Sequence, residues 1–252
     1  MATDAERWTE HLGRMTAALR HRGPDDAHTK NLPGCLLGHR RLSVIDLVTG
    51  QQPMPDETGR YWITFNGEIY NYRELRQWLE RDGVEFRTQS DTEVLVQAYR
   101  RLGCETPSRL NGQFAFFIWD QREQEGFAAR DRLGEKPLYW AHSSRGPFLV
   151  ASEVKALLAS GLVEGRIDPR AVDAYLALLY VPPHRTIYEN VHSLRPGHML
   201  LVKHGGVVER EYWRARYGRK KIQKEEAVSQ IRALVRRAVD RQKIADVPLA
   251  RS

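Results

Sequence analysis

Residues 114–119 read Phe114-Ala115-Phe116-Phe117-Ile118-Trp119. Six apolar side chains in succession leave no polar face, so the run predicts a strand buried on both sides, or close to it. Outward from it, Tyr61-Trp62-Ile63-Thr64-Phe65 predicts a second strand, closed by Asn66-Gly67. Cys35-Leu36-Leu37-Gly38, Arg41-Leu42-Ser43-Val44-Ile45 and residues 127–130 and 147–151 predict further short strands. Helices are expected where apolar residues recur three or four apart. Leu12, Met15 and Leu19 mark one that ends before Arg22-Gly23-Pro24. Leu75, Trp78 and Leu79 form the buried stripe of another, with Asn71 and Glu74 as its capping box. Val94, Leu95 and Ala98 face inward from a third, boxed by Ser90 and Glu93, and shorter helices follow around 155–158 and 172–179. Strand clusters mixed with helices, without a regular βαβ repeat, predict an α+β fold with helices outside the sheets.

The 252 residues suffice for one large domain or two small ones, and 41% hydrophobic with 28% charged residues is an ordinary globular composition. No run of about 18 apolar residues exists to span a membrane, and Met1-Ala2-Thr3-Asp4-Ala5-Glu6 is no signal peptide. Cys35 and Cys104 are too few for a disulfide framework or a four-ligand zinc site, and no glycine-rich phosphate loop is present. A cytoplasmic protein without a metal is therefore expected. The net charge is +7, but Arg214 to Lys243 alone holds eleven Lys and Arg against three acids. The surplus sits on one C-terminal segment, in keeping with a solvated helix face, and nucleic acid is ranked last among partners. In that segment Val228, Ile231, Val235 and Ala238 share one helical face.

Four polar clusters have ordinary structural readings when taken singly. Arg20-His21-Arg22-Gly23-Pro24-Asp25-Asp26 reads as a helix end and turn, Arg41 as a surface cation, Asn66-Gly67 as a hairpin turn and Asp91 as a helix cap. Together they describe a pocket for a free amino acid. An arginine fork holds an α-carboxylate, an acid at a helix start accepts from an α-ammonium, and an Asn amide with a Gly N–H converges on one oxygen as an oxyanion hole. This is chemistry for attacking an amide carbonyl.

These stretches resemble the glutamine-hydrolysing asparagine synthetase family, whose N-terminal half is a class II glutamine amidotransferase domain. The resemblance runs through Arg20–Asp25, Leu37–Asp46 with Gly50–Met54, Phe65–Tyr72, Ser90–Glu93, Ala129–Tyr139, Ser152–Leu157, Pro182-Pro183 and Arg195–His198. It implies an N-terminal-nucleophile (Ntn) hydrolase fold, a four-layer αββα sandwich over residues 1–213. Residues 214–252 would be a linker and the first helix of an α/β synthetase domain. Arg41 would hold the glutamine carboxylate, Asn66 and Gly67 would form the oxyanion hole, and Glu68 and Asp91 would face the amino end. Glutamine is the implied ligand, a synthetase domain or chain the implied partner, and ATP with Mg²⁺ belongs only to the synthetase half.

The family's nucleophile is an N-terminal cysteine, activated by its own α-amino group. Here Met1-Ala2-Thr3-Asp4 offers none, and Cys35, Cys104 and Thr3 are not placed as substitutes. The nucleophile also opens a strand, whose absence would leave neighbouring backbone groups unpaired at about 1–3 kcal/mol each if buried. Asp246-Val247-Pro248-Leu249 matches the segment just before the family's ATP-pyrophosphate loop. The expectation is a glutaminase domain truncated at both ends and inactive as it stands. The alternative is a non-catalytic glutamine-binding or partner-docking module. Gln113 and Glu135 depart from usually apolar family positions, and Asp131, Arg132 and Lys136 are expected to form an ion-pair network near the sheet ends.

Overall fold

The computed structural model describes residues 4–42, 50–142, 146–203, 206–218 and 221–243. The chain forms helix α1 (Asp4–Ala18), strands β1 (Asp26–Leu32), β2 (Cys35–Arg41), β3 (Met54–Pro55) and β4 (Tyr61–Ile69), then helices α2 (Tyr72–Arg81) and α3 (Asp91–Leu102). After a short helix α4 (Thr106–Arg109) come β5 (Gly112–Asp120), β6 (Glu125–Arg130), β7 (Tyr139–His142) and β8 (Phe148–Ala151). Helices α5 (Val154–Ala159) and α6 (Pro169–Leu178), strands β9 (His192–Ser193), β10 (His198–Lys203) and β11 (Gly206–Glu211), and helix α7 (Lys224–Gln242) complete it.

Six strands form one antiparallel sheet in the order β11-β10-β6-β5-β4-β3. Near its centre lies β5, which holds the apolar run 114–119. Side chains alternate across a strand, so Phe114, Phe116 and Ile118 pack with Leu79, Val94, Leu95 and Ala98 of α2 and α3. Ala115, Phe117 and Trp119 pack instead with Leu32, Leu37, Leu138 and Leu194 of a second strand layer. Beneath that layer, Met15 of α1 and Ala156 and Leu157 of α5 close a third core with Ala141 and Val191. The order is therefore helices, sheet, strands, helices.

The second strand layer consists of the β1–β2 hairpin and a sheet in the order β8-β7-β9. β2 and β8 each have one edge with no strand partner among the described residues, and both line one cavity of about 1050 Å³.

Several local expectations need correction. Asn66-Gly67 is no hairpin turn: β4 runs through it to Ile69, paired with β5 along its whole length. Asn71 does not cap α2; its Nδ2 donates to Arg109 O and its Oδ1 accepts from Asn111 N, tying the α4–β5 corner. Trp78 is 39% exposed, and Tyr72 joins Leu75 and Leu79 in the buried stripe of α2. Ser90 caps α3 by accepting from Thr92 N, but Glu93 accepts from Arg87 N and Thr88 N rather than closing the box. The expected strand at 41–45 is represented by the end of β2, and residues 43–49 lie outside the described residues. The face of α7 predicted from Val228, Ile231 and Val235 is helical but exposed.

Candidate active site

The outer edge of β4 organises the site. Ile63 pairs with Met54 of β3 there, and Tyr61 N donates to Asp56 Oδ1. Further along the same edge, Phe65 N donates to Gln52 Oε1 at 2.6 Å and Ile69 N to Asp91 Oδ2 at 3.0 Å. Gly67 lies between them with the same outward orientation. Its β5 partner Phe114 turns both backbone groups the other way, N to Asp131 Oδ2 and O to Asp131 N. The Gly67 N–H therefore has no acceptor among the described residues, at the wall of the cavity. Its φ of +152° suits glycine, and a Cβ there would stand 2.1 Å from Gln113 O.

Alternation along β4 turns Ile63, Phe65 and Ile69 into the helix-side core and puts Thr64, Asn66 and Glu68 on the cavity side. Arg41 reaches the same cavity from the end of β2, where it is 8% exposed. Its backbone is buttressed: Arg41 O accepts from Asp25 N, and Gly23 lies so close to the Arg40–Arg41 peptide that a Cβ would stand 2.3 Å from Arg40 C. The Arg20–Asp26 stretch is thus a turn, as its ordinary reading had it, but a turn that supports Arg41. Asp91 arrives at the first turn of α3. Arg41, Asn66, Gly67, Glu68 and Asp91, from three separate elements, line one cavity.

Burial pushes Asp91 up to about 7, and the neighbouring Glu68 charge adds to the rise. Burial also raises Glu68, opposed by the Lys136 ammonium. His39, on the same cavity wall, is pushed down to about 4 by burial, with Arg41 acting in the same direction. Two neighbouring acids and a buried cation lining one cavity suit a zwitterion whose ammonium would neutralise the carboxylates.

The expected Asp131–Arg132–Lys136 ion-pair network is not what forms. Asp131 instead accepts from the backbone N–H groups of Phe114, Leu133, Glu135 and Lys136, shaping the loop that brings Lys136 to the cavity. Arg132 donates to Ser108 O and lies over Trp213. Cys35 lines the far part of the cavity, its thiol pushed up to about 12 by burial. Six residues of strand put it roughly 20 Å from Arg41, too far to serve a substrate held there. Sequence reasoning missed Gln52, because its partners Phe65 and Thr92 lie 13 and 40 residues away. Only its place in the Gly50–Met54 stretch pointed to it. Among the described residues no helix is long and apolar enough to cross a membrane, and no three His, Cys, Asp or Glu side chains gather as metal ligands.

The profile of the glutamine amidotransferase domain matches residues 1–213. Asparagine synthetase [glutamine-hydrolyzing] 3 of Bacillus subtilis (strain 168) is 36% identical over 244 residues, covering 94% of this chain and 39% of that protein. Asparagine synthetase [glutamine-hydrolyzing] 1 of the same organism is 34% identical over 95% of this chain and 38% of its own length. The chain thus spans about two fifths of these curated relatives. The solved structure of glutamine phosphoribosylpyrophosphate amidotransferase from B. subtilis, with ADP and GMP, superposes with a TM-score of 0.58 at 22% identity, over 81% of this chain and 46% of that one. The layered architecture is accordingly the Ntn-hydrolase sandwich, and the chain belongs to the glutamine amidotransferase domain family, in the class II form carried by glutamine-hydrolysing asparagine synthetases.

Proposed function

We propose that this chain binds L-glutamine and polarises its side-chain amide, as the glutaminase part of an asparagine synthetase-type amidotransferase. The convergence of Arg41, Asn66, Gly67, Glu68 and Asp91 on one cavity carries the reading. In it, the Arg41 guanidinium takes the α-carboxylate, Asp91 and Glu68 face the α-ammonium, and the carboxamide oxygen accepts from Gly67 N–H and the Asn66 side-chain amide. Donors fixed before the reaction stabilise the negative charge that develops on that oxygen when a nucleophile attacks.

Cleavage needs a thiol beside the oxyanion donors, and neither cysteine supplies it. The described residues therefore bind glutamine without releasing ammonia, which also meets the requirement of a non-catalytic binding module. An extended segment starting with cysteine, entering along the edges of β2 and β8 that lack a strand partner among the described residues, would convert binding into catalysis. Its sulfur adds to the amide carbon, ammonia leaves with the proton the thiol gave up, and water then hydrolyses the thioester to glutamate and free thiol. The ammonia would serve ATP- and Mg²⁺-dependent amidation of aspartate in a synthetase domain.

Calorimetry with L-glutamine, paired with an ammonia assay, tests this. Binding without ammonia is expected, and hydrolysis is expected once a cysteine-initiated strand is fused ahead of residue 4. Absence of binding refutes the pocket; ammonia release from residues 1–252 alone refutes the reading that neither Cys35 nor Cys104 serves as the nucleophile.

A further inference from the structure

The Gln52 side chain is buried and uses both ends of its carboxamide. Oε1 accepts from Phe65 N at 2.6 Å, and Nε2 donates to Thr92 Oγ1 at 3.2 Å. β3 offers only Met54 and Pro55 to the β4 edge. At Phe65 the Gln52 side chain therefore does what the next backbone carbonyl of that strand would do. Thr92 directly follows Asp91, whose Oδ2 takes the N–H of Ile69. Two rungs thus join β4 to the start of α3, roughly 13 Å apart along the strand, with Gly67 midway.

We propose that Gln52 is a positioning residue for the oxyanion donors. It satisfies the β4 edge at Phe65 while leaving Gly67 N–H open, and through Thr92 it locks that edge to the helix turn carrying Asp91. The proposal rests on the glutamine-pocket reading above. Donors are worth most when held in place before charge develops. With only the Ile69 rung left, the Phe65 end of the segment loses its tie to the helix turn carrying Asp91, and the aim of Gly67 N–H then rests on the β5 pairing and Ile69 alone.

The test uses the chain as it stands, with L-glutamine and L-norleucine as probes. Norleucine shares the ammonium and carboxylate but has no carboxamide. Gln52→Met, which keeps the bulk and removes both hydrogen bonds, is expected to weaken glutamine binding at least fivefold more than norleucine binding, and to shift the amide resonance of Gly67. Gln52→Glu keeps an acceptor for Phe65 N and lets the Thr92 hydroxyl donate to it, so it is expected to restore that resonance. Equal losses for both amino acids, or an unmoved Gly67 resonance in Gln52→Met, overturn the proposal. If the unsubstituted chain binds neither probe, the glutamine reading fails, and the Gly67 resonance alone then decides the positioning role. Should Gln52→Met not fold, Thr92→Val removes the second hydrogen bond alone and is judged by the same outcomes.

Discussion

Replacing Asp91 by asparagine separates the energetic cost of the site from its use. Burial raises the Asp91 carboxyl from an ordinary 3.8 to about 7. Between those values the folded chain keeps a proton that the unfolded chain has lost. Protons thus favour the folded state, and stability falls as pH rises. Each pH unit is worth about 1.4 kcal/mol, so the ionised carboxylate costs the folded chain about 4 kcal/mol above pH 7. The carboxamide of Asp91→Asn would keep an oxygen for the Ile69 N–H and its place at the start of α3 while removing the charge. The stability advantage of this variant is expected to grow by about 3 kcal/mol between pH 5 and pH 8. In a chain of this size that corresponds to roughly 6–12 °C in relative melting temperature. Groups that titrate alike in both proteins, such as half-buried His39, cancel in the difference. The assay is urea or thermal unfolding of both proteins at the two pH values. A difference that is flat in pH, or that shrinks as pH rises, overturns this account of the buried carboxyl.

The remaining predictions concern the same cavity and its supports. In the unsubstituted chain, glutamine affinity should fall by up to about tenfold per pH unit below 7, as protonation of Asp91 removes the acceptor for the ammonium; calorimetry across pH 5.5–8.5 checks this, and a flat profile contradicts it. Arg41→Lys loses the planar fork and should weaken glutamine binding by roughly 10- to 100-fold in calorimetry, the worth of one charge-assisted hydrogen bond. Gly67→Ala drives a methyl to within 2.1 Å of Gln113 O in the β4–β5 ladder, and should cost about 3 kcal/mol in urea unfolding. Both polar atoms of the Gln97 side chain are buried without a partner among the described residues, so Gln97→Met should raise stability by about 1 kcal/mol; a lower melting temperature would count against it.

Much of this molecule was legible in its local pattern. The run at 114–119 was a strand covered on both faces, and the apolar spacings placed α1, α2 and α3 because those faces must be buried. What failed locally failed for tertiary reasons. Asn66-Gly67 reads as a turn in any isolated peptide, and it becomes strand only because β5 pairs across it. Asn71 and Glu93 carry capping signatures, yet other segments claim their hydrogen bonds. Strands β1, β7, β10 and β11 carry weak alternation of their own and exist by pairing with neighbours.

Residue type and spacing were enough for the class of fold and the family resemblance, because they record burial and chemistry directly, and Arg41, Asn66, Gly67, Glu68 and Asp91, named from the sequence, line one cavity. It took the assembled fold to establish that Gly67 N–H has no acceptor among the described residues, that Gln52 and Asp91 occupy the positions on either side, and that Asp131 shapes a loop through backbone hydrogen bonds. Those outcomes depend on which groups meet across 13 to 40 residues of chain. Which N–H finds an acceptor is a property of the assembled sheet, and the perturbed Asp91 carboxyl is a property of the burial that assembly imposes.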